Sequence, residues 1–198
     1  MYHDGARRWQ DRFETRALAD RLVEVTLHTA FTDQDRQLIE RCTMFFLATA
    51  DAEGRPECSF KGGPPGFVRV LDAATLAFPS YDGNGMFKSL GNVLVNPNVG
   101  LLFVDFERQR RVRVNGTATA TDDDPLLAEF AGAQLVVRVR AAQIFPNCPR
   151  YSPRMRVVEP SPYAPAPGCT PPIPEWKQRP VFQEVLPPDD PARDQPPV

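Results

Sequence analysis

What most limits the fold of this chain is the spacing of its short apolar runs between residues 44 and 145. Met44-Phe45-Phe46-Leu47-Ala48-Thr49-Ala50 reads as a strand, and Asp51-Ala52-Glu53-Gly54 as the turn that ends it. Pro56 to Lys61 is the returning strand, broken by Gly62-Gly63-Pro64-Pro65-Gly66 before Phe67-Val68-Arg69-Val70-Leu71. Asp72-Ala73-Ala74 then turns the chain into Thr75-Leu76-Ala77-Phe78-Pro79. Connections this short permit only antiparallel neighbours, because a parallel return needs a crossover of a dozen residues or more.

The same pattern resumes after a helical segment, Gly85 to Val95, that Asn96-Pro97 ends. Val99 to Phe106 is a buried strand, and Arg111 to Ala120 alternates with period two, so it offers one face to a core and the other to solvent or a ligand. Asp123 to Ala131 reads as a short helix, and Gln134 to Phe145 as the last long strand. Six or more strands in consecutive hairpins point to a small barrel, closed or partly closed, which removes exposed sheet edges. The expected class is mostly β with flanking helices.

Three regions follow. Residues 1–42 form a helical extension: Trp9, Phe13, Ala17, Leu18, Leu22 and Val25 recur at helical spacing over residues 6–28, and Thr32 or Asp33 caps a second helix reaching Cys42. Residues 43–155 form the barrel. Residues 156–198 form a proline-rich arm, since most of the 22 prolines follow Ala142 and the stretch from Pro160 to Pro174 suits neither a packed helix nor a central strand.

Composition excludes several functions. A net charge of -2 supplies no general attraction to nucleic acid or to an anionic membrane, and no apolar run is long enough to span a bilayer. Cys42, Cys58, Cys148 and Cys169 form no C-x-x-C pair, and with only His3 and His28 a zinc site lacks ligands. Reduced thiols and a charged N-terminal segment indicate a cytoplasmic protein. No nucleophile elbow, Rossmann glycine fingerprint or phosphate loop is present. A carboxylate pair would have to come from Asp51, Glu53 or Glu57, which the pattern assigns to a solvated turn. No residue emerges as a covalent catalyst.

Two segments suit an anion. In Ser59-Phe60-Lys61-Gly62-Gly63, a hydroxyl and an ammonium share a strand face, and the glycines allow close approach of a ligand. In Ser80-Tyr81-Asp82-Gly83-Asn84-Gly85-Met86-Phe87-Lys88-Ser89 the chain leaves a strand and opens a helix, where free N–H groups, a lysine and hydroxyls make a phosphate seat. Arg111 and Arg113 share the strand face opposite Val112 and Val114. That face is either a solvated exterior or a donor surface for a heteroaromatic ring or anion.

On these residues the chain resembles a known family. Met44-Phe45-Phe46-Leu47-Ala48-Thr49 with Gly54-Arg55-Pro56 resembles the opening hairpin of the pyridoxamine 5'-phosphate oxidase-like FMN-binding proteins. Asn96-Pro97-Asn98-Val99-Gly100-Leu101-Leu102-Phe103 resembles their helix exit and strand, and Arg111-Val112-Arg113-Val114-Asn115-Gly116-Thr117-Ala118 the strand after it. Lys61-Gly62-Gly63-Pro64-Pro65-Gly66-Phe67-Val68 and Asn147-Cys148-Pro149-Arg150-Tyr151 resemble one branch, flavin-nucleotide-binding proteins related to that oxidase. The resemblance spans about residues 30–155.

It implies an FMN-binding split β-barrel and a homodimer with the cofactor in clefts between subunits. By resemblance Ser59, Phe60, Lys61 and Gly62 line the cofactor, Ser80 and Tyr81 lie near it, and Lys88 and Ser89 approach its phosphate. Arg111 stands against the flavin ring, and Arg150 reaches the partner's cofactor. The oxidase carries a C-terminal segment with Arg and His for its substrate, whereas the corresponding region here is proline-rich and contains no His, which argues against pyridoxamine phosphate as substrate. The resemblance thus implies an FMN-dependent oxidoreductase acting on another small molecule. The alternatives are a non-catalytic flavin-binding or storage protein, and a split barrel that takes a deazaflavin or haem. A proline-mediated interaction through residues 160–174 is a further reading of the arm.

Overall fold

In a computed structural model, which describes residues 1–165 and 168–193, the alternating runs pair into one seven-stranded antiparallel sheet. Its strands are β1 (Met44–Ala50), β2 (Pro56–Gly62), β3 (Arg69–Val70), β4 (Thr75–Tyr81), β5 (Asn98–Asp105), β6 (Arg110–Thr121) and β7 (Ala133–Pro146). They stand in the order β2-β1-β5-β6-β7-β4-β3. β3 is the one strand much shorter than its sequence suggests. Gly66, at φ 84°, turns Phe67 and Val68 into the core, so only two residues are left to pair.

The sheet closes on aromatic rings. Phe45 of β1 is fully buried and meets Phe103 of neighbouring β5 at 4.9 Å between centroids. It also meets Phe78 of β4 edge-on at 4.9 Å and Phe67 at 5.9 Å. β1 and β4 are distant in the strand order, so this contact requires the sheet to fold over itself. Leu47, Leu101, Val114 and Ile144 lie in one row across β1, β5, β6 and β7, each at most 2% exposed. Each such side chain contributes about 1.5–3 kcal/mol of burial.

Four helices lie before or between the strands in sequence. α3 (Asp33–Arg41) is held by the expected cap: Asp35 N donates to Thr32 Oγ1 at 3.2 Å and Thr32 N to the Asp35 carboxylate at 2.9 Å. It buries Leu38 and Ile39, and Glu40 accepts from the Val70 amide at 3.1 Å. α4 (Lys88–Val95) buries Leu90 and Val93. It starts three residues later than the sequence suggests, because Gly85 and Phe87 both have positive φ, at 72° and 47°.

The single helix expected over residues 6–28 is two, α1 (Asp4–Arg12) and α2 (Arg16–Thr26), divided at Glu14 with φ 55°. Arg7 and Asp20 join them by a 2.7 Å ion pair, but neither helix buries a residue, and Trp9 and Phe13 are 62% and 67% exposed. Next, His28 forms an isolated antiparallel bridge to Ile144. The helix expected over residues 123–131 is a 3-10 turn, Pro125–Glu129, capped by Asp124.

Residues Met1–Val158 and Glu159–Val198 form separate compact units. Within the second, no helix forms among the described residues up to Pro174. A 3-10 turn at Glu175–Gln178 and a short α5 (Pro180–Gln183) follow, where an extended arm was expected. Lys177 pairs with Asp190 at 2.7 Å, both side chains nearly buried, and Trp176 meets Phe182 edge-on. No helix among the described residues is long and apolar enough to cross a membrane.

β6 and β7 slip register between Asn115 and Gly116, where Ala142 bulges out of β7. A Cβ at Gly116 would lie 2.0 Å from the Arg140 carbonyl oxygen, so only glycine fits. Gly116→Ala is expected to cost about 1–3 kcal/mol through overpacking, read as a lowered urea midpoint. Gly83→Ala, with nothing within 4 Å of its Cβ, should leave that midpoint nearly unchanged.

Candidate functional site

Strand alternation puts Glu57, Ser59 and Lys61 of β2 on one face, level with Thr49, Leu47 and Phe45 of β1. α4 packs against the same two strands and brings Ser89 to them. The Ser59 and Ser89 hydroxyls are 2.9 Å apart, and Ser89 Oγ donates to Glu57 Oε2 at 2.8 Å. Thr49 Oγ1 donates to the same carboxylate oxygen at 3.3 Å, and Asn92 Nδ2 donates to Thr49 Oγ1 at 3.0 Å. Thr49 and Ser89 are buried, and Glu57, Ser59 and Lys61 partly so. Burial holds the Lys61 ammonium below its ordinary pKa, while the Glu57 carboxylate works against that shift.

The start of α4 completes this cluster. Its N-cap is Phe87, which offers no side-chain cap, and no acidic residue occupies the first turn. Lys88 stands there instead, exposed. A cation at the positive end of a helix is locally unfavourable, and an uncapped N-terminus leaves its N–H groups available. Both features suit an anion.

The remaining expected residues are spread over other elements. Ser80 and Tyr81 lie partly buried on β4, at a bulge opposite β7, and among the described residues no hydrogen bond ties them to the Ser59–Ser89 cluster. Burial raises the Tyr81 phenol pKa, with Arg69 opposing. The glycine pair after Lys61 has a packing role of its own: a Cβ at Gly62 would lie 2.7 Å from the Phe60 ring, and one at Gly63 2.5 Å from Phe67. Phe60 points to the opposite face from Ser59 and Lys61, 60% exposed and edge-on to Phe46.

Arg111 and Arg113 share that other face, with Val112 and Val114 buried beneath, as the alternation predicts. Arg113 lies over the Phe145 ring at 5.9 Å. Arg111 and Arg150 converge on Cys148: Arg111 Nη2 donates to its carbonyl and Arg150 Nε to its Sγ at 3.1 Å. Arg111 Nε and Asn147 Oδ1 are buried beside them without a hydrogen-bond partner. The sequence-expected residues therefore form two groups, Ser59, Lys61, Lys88 and Ser89 around α4, and Arg111 with Arg150 around Cys148.

Glu57 is the residue that sequence reasoning placed wrongly. It belongs to β2 and accepts two hydroxyl hydrogen bonds, where a solvated turn was expected. The signal was present, since positions 57, 59 and 61 share a face in any strand that begins at Pro56.

An antiparallel split barrel with a hydroxyl- and lysine-bearing helix start against its edge strand defines a recognisable class of protein. The pyridoxamine 5'-phosphate oxidase family model matches residues 31–161, more than half of the chain, and the chain belongs to that family. No curated protein sequence matches it. Among solved structures, a Lactobacillus delbrueckii protein provisionally classed as a pyridoxamine 5'-phosphate oxidase is 25% identical over 60% of this chain and 95% of its own, with a TM-score of 0.49. HutZ, described as the heme storage protein of Vibrio cholerae, is 20% identical over 57% of this chain and 91% of its own, with a TM-score of 0.42. The FAD-binding protein of Mycobacterium smegmatis is 20% identical over 61% of this chain and 97% of its own, with a TM-score of 0.41.

The four cysteines are free and differ in environment. Hydrogen bonding from Arg150 holds the exposed Cys148 thiol below its ordinary pKa, whereas burial pushes Cys42 up to about 11. At pH 7 iodoacetamide should therefore modify Cys148 well before Cys42, and Arg150→Ala should slow the reaction at Cys148. Peptide mass analysis over a time course checks both.

Proposed function

We propose that this chain is an FMN-binding flavoprotein of the flavin-nucleotide-binding branch of its family, and an oxidoreductase on a small molecule other than pyridoxamine phosphate. The observation that carries the reading is the start of α4: an uncapped helix N-terminus bearing Lys88, with Ser89 turned onto Ser59 of β2. That donor set fits a phosphate. Ser59 and Ser89 supply hydroxyls, Lys61 and Lys88 supply charge, and the first turn of α4 supplies backbone N–H groups. FMN supplies hydride chemistry when bound, so the absence of a triad or a metal motif from the sequence is no obstacle.

The chain's own residues bind and orient. The β2–α4 cluster anchors the phosphate end. Arg111 and Arg150, on the other face, are donors suited to a flavin ring across a subunit boundary, which is why a second copy of the chain is the partner we propose. The exposed Phe60 and the half-buried Phe46 give that face an apolar surface on which a ring or a partner can lie. Of the two histidines, His28 is the less suited to ligate haem, since both its ring nitrogens are engaged, by Thr26 O and the Asp35 carboxylate.

The deciding experiment is the absorbance spectrum of the full chain purified with FMN supplied, with mass analysis of what denaturation releases. A flavin spectrum and the FMN mass are expected; a Soret band or no chromophore overturns the reading. Lys61→Ala with Lys88→Ala should weaken FMN binding by several kcal/mol, given about 1.5–3 for each hydrogen bond to a charged group, and wild-type affinity in that variant would remove the phosphate seat. Anaerobic reduction of the bound flavin by NADH or NADPH, then reoxidation by a quinone, tests turnover. Failure with every donor would favour a storage role.

A further inference from the structure

The direction of the hydrogen bonds in the β2–α4 cluster assigns a role to Glu57. An ionised carboxylate only accepts, so Ser89 must give its one hydroxyl proton to Glu57 Oε2, 2.8 Å away. Ser89 Oγ can then only accept from Ser59 at 2.9 Å. On the other side Asn92 donates to Thr49, and Thr49 donates to Glu57. The Ser59, Ser89, Thr49 and Asn92 donors thus point, directly or through one hydroxyl, at a single carboxylate oxygen. That oxygen stands against the second residue of α4, whose uncapped N-terminus has no acidic residue of its own.

We infer that Glu57 is a resident anion: its carboxylate occupies the position of the cofactor phosphate, which binds by displacing it from Ser89. A dianionic phosphate also accepts only, so it can take the single Ser89 proton only by displacing Glu57 from it. Until then Glu57 satisfies two buried hydroxyls and balances the partly buried Lys61. Once phosphate arrives, two anions compete for the same donors and the same cation. Glu57 therefore lowers the preference of the site for a phosphorylated flavin over riboflavin, which lacks the phosphate and has no reason to move the carboxylate. This inference rests on the FMN reading above. A purely structural clamp between β1, β2 and α4 makes the opposite prediction, because its loss would loosen the cluster and weaken every ligand.

The test is fluorescence titration of the full chain with FMN and with riboflavin, for the wild type, Glu57→Gln and Glu57→Ala. FMN should bind about tenfold more tightly to both variants, the scale of one charge-assisted hydrogen bond, with riboflavin unchanged. Thr49→Val removes one of the two hydroxyls that hold the carboxylate and should move FMN the same way by a smaller factor. If the wild type binds FMN and the variants bind it equally or less tightly, the inference falls and the FMN reading stands. An equal tightening of riboflavin also overturns it, since the carboxylate would then act away from the phosphate. If neither the wild type nor the variants bind any flavin, the FMN reading falls and takes this inference with it.

Discussion

The fold depends on the burial of one ring. Phe45 touches Phe103 beside it in the sheet and Phe78 from a strand four places away in the order, and those contacts hold the sheet folded over itself. The consequences run along β1 by simple alternation. Phe45, Leu47 and Thr49 share a face, so the strand that closes the apolar core also carries the polar cluster at its far end. Ser59 pairs with Leu47 and Glu57 with Thr49, which fixes the two β2 side chains relative to the core rather than to a loop. α4 joins through Leu90 and Val93, and that packing brings Ser89 within hydrogen-bond distance of both. Apolar packing and the position of the candidate site are thus one constraint, and a shift of β1 by a single residue would turn both faces over.

Much of this was legible in the sequence. β1 is observed with the bounds that its apolar run implies, and Asn96-Pro97 does end α4. What was hidden lies in backbone conformations that side-chain pattern does not encode. Glu14 and Phe87 adopt positive φ without being glycine, and each moves a helix boundary. Phe67 and Val68 read as strand because they are apolar, but an apolar residue is equally content in a loop folded into a core, which is where Gly66 sends them. The Trp176–Phe182 contact and the Lys177–Asp190 pair lie between prolines, and composition alone suggested an extended arm there.

The candidate cluster was legible to the extent that its chemistry was sought. Ser59, Lys61, Lys88 and Ser89 stand out to a search for groups that attract an anion. Glu57 is invisible to such a search because it carries the same sign as the expected ligand, although its place two residues before Ser59 determines its face. The meeting of Arg111 and Arg150 at Cys148 depends on a different quantity, the register between β6 and β7, which continues past Pro146 through a 3.2 Å bond from the Asn147 amide to the Arg111 carbonyl. A bulge at Ala142 enters that register, and no pairing argument from sequence alone would place it.

The strand order has a thermodynamic consequence for the edge strand. Among the described residues β2 is paired along one side only, so its opening breaks fewer ladder bonds than that of β1. Local opening free energies follow this kind of difference, and a ligand that binds only the closed form adds its own binding free energy to the opening cost. Ser59 and Lys61 sit on that strand and Ser89 on the helix beside it. A molecule gripped between them, as we propose for FMN, would do for this edge what a neighbouring strand does for an interior one.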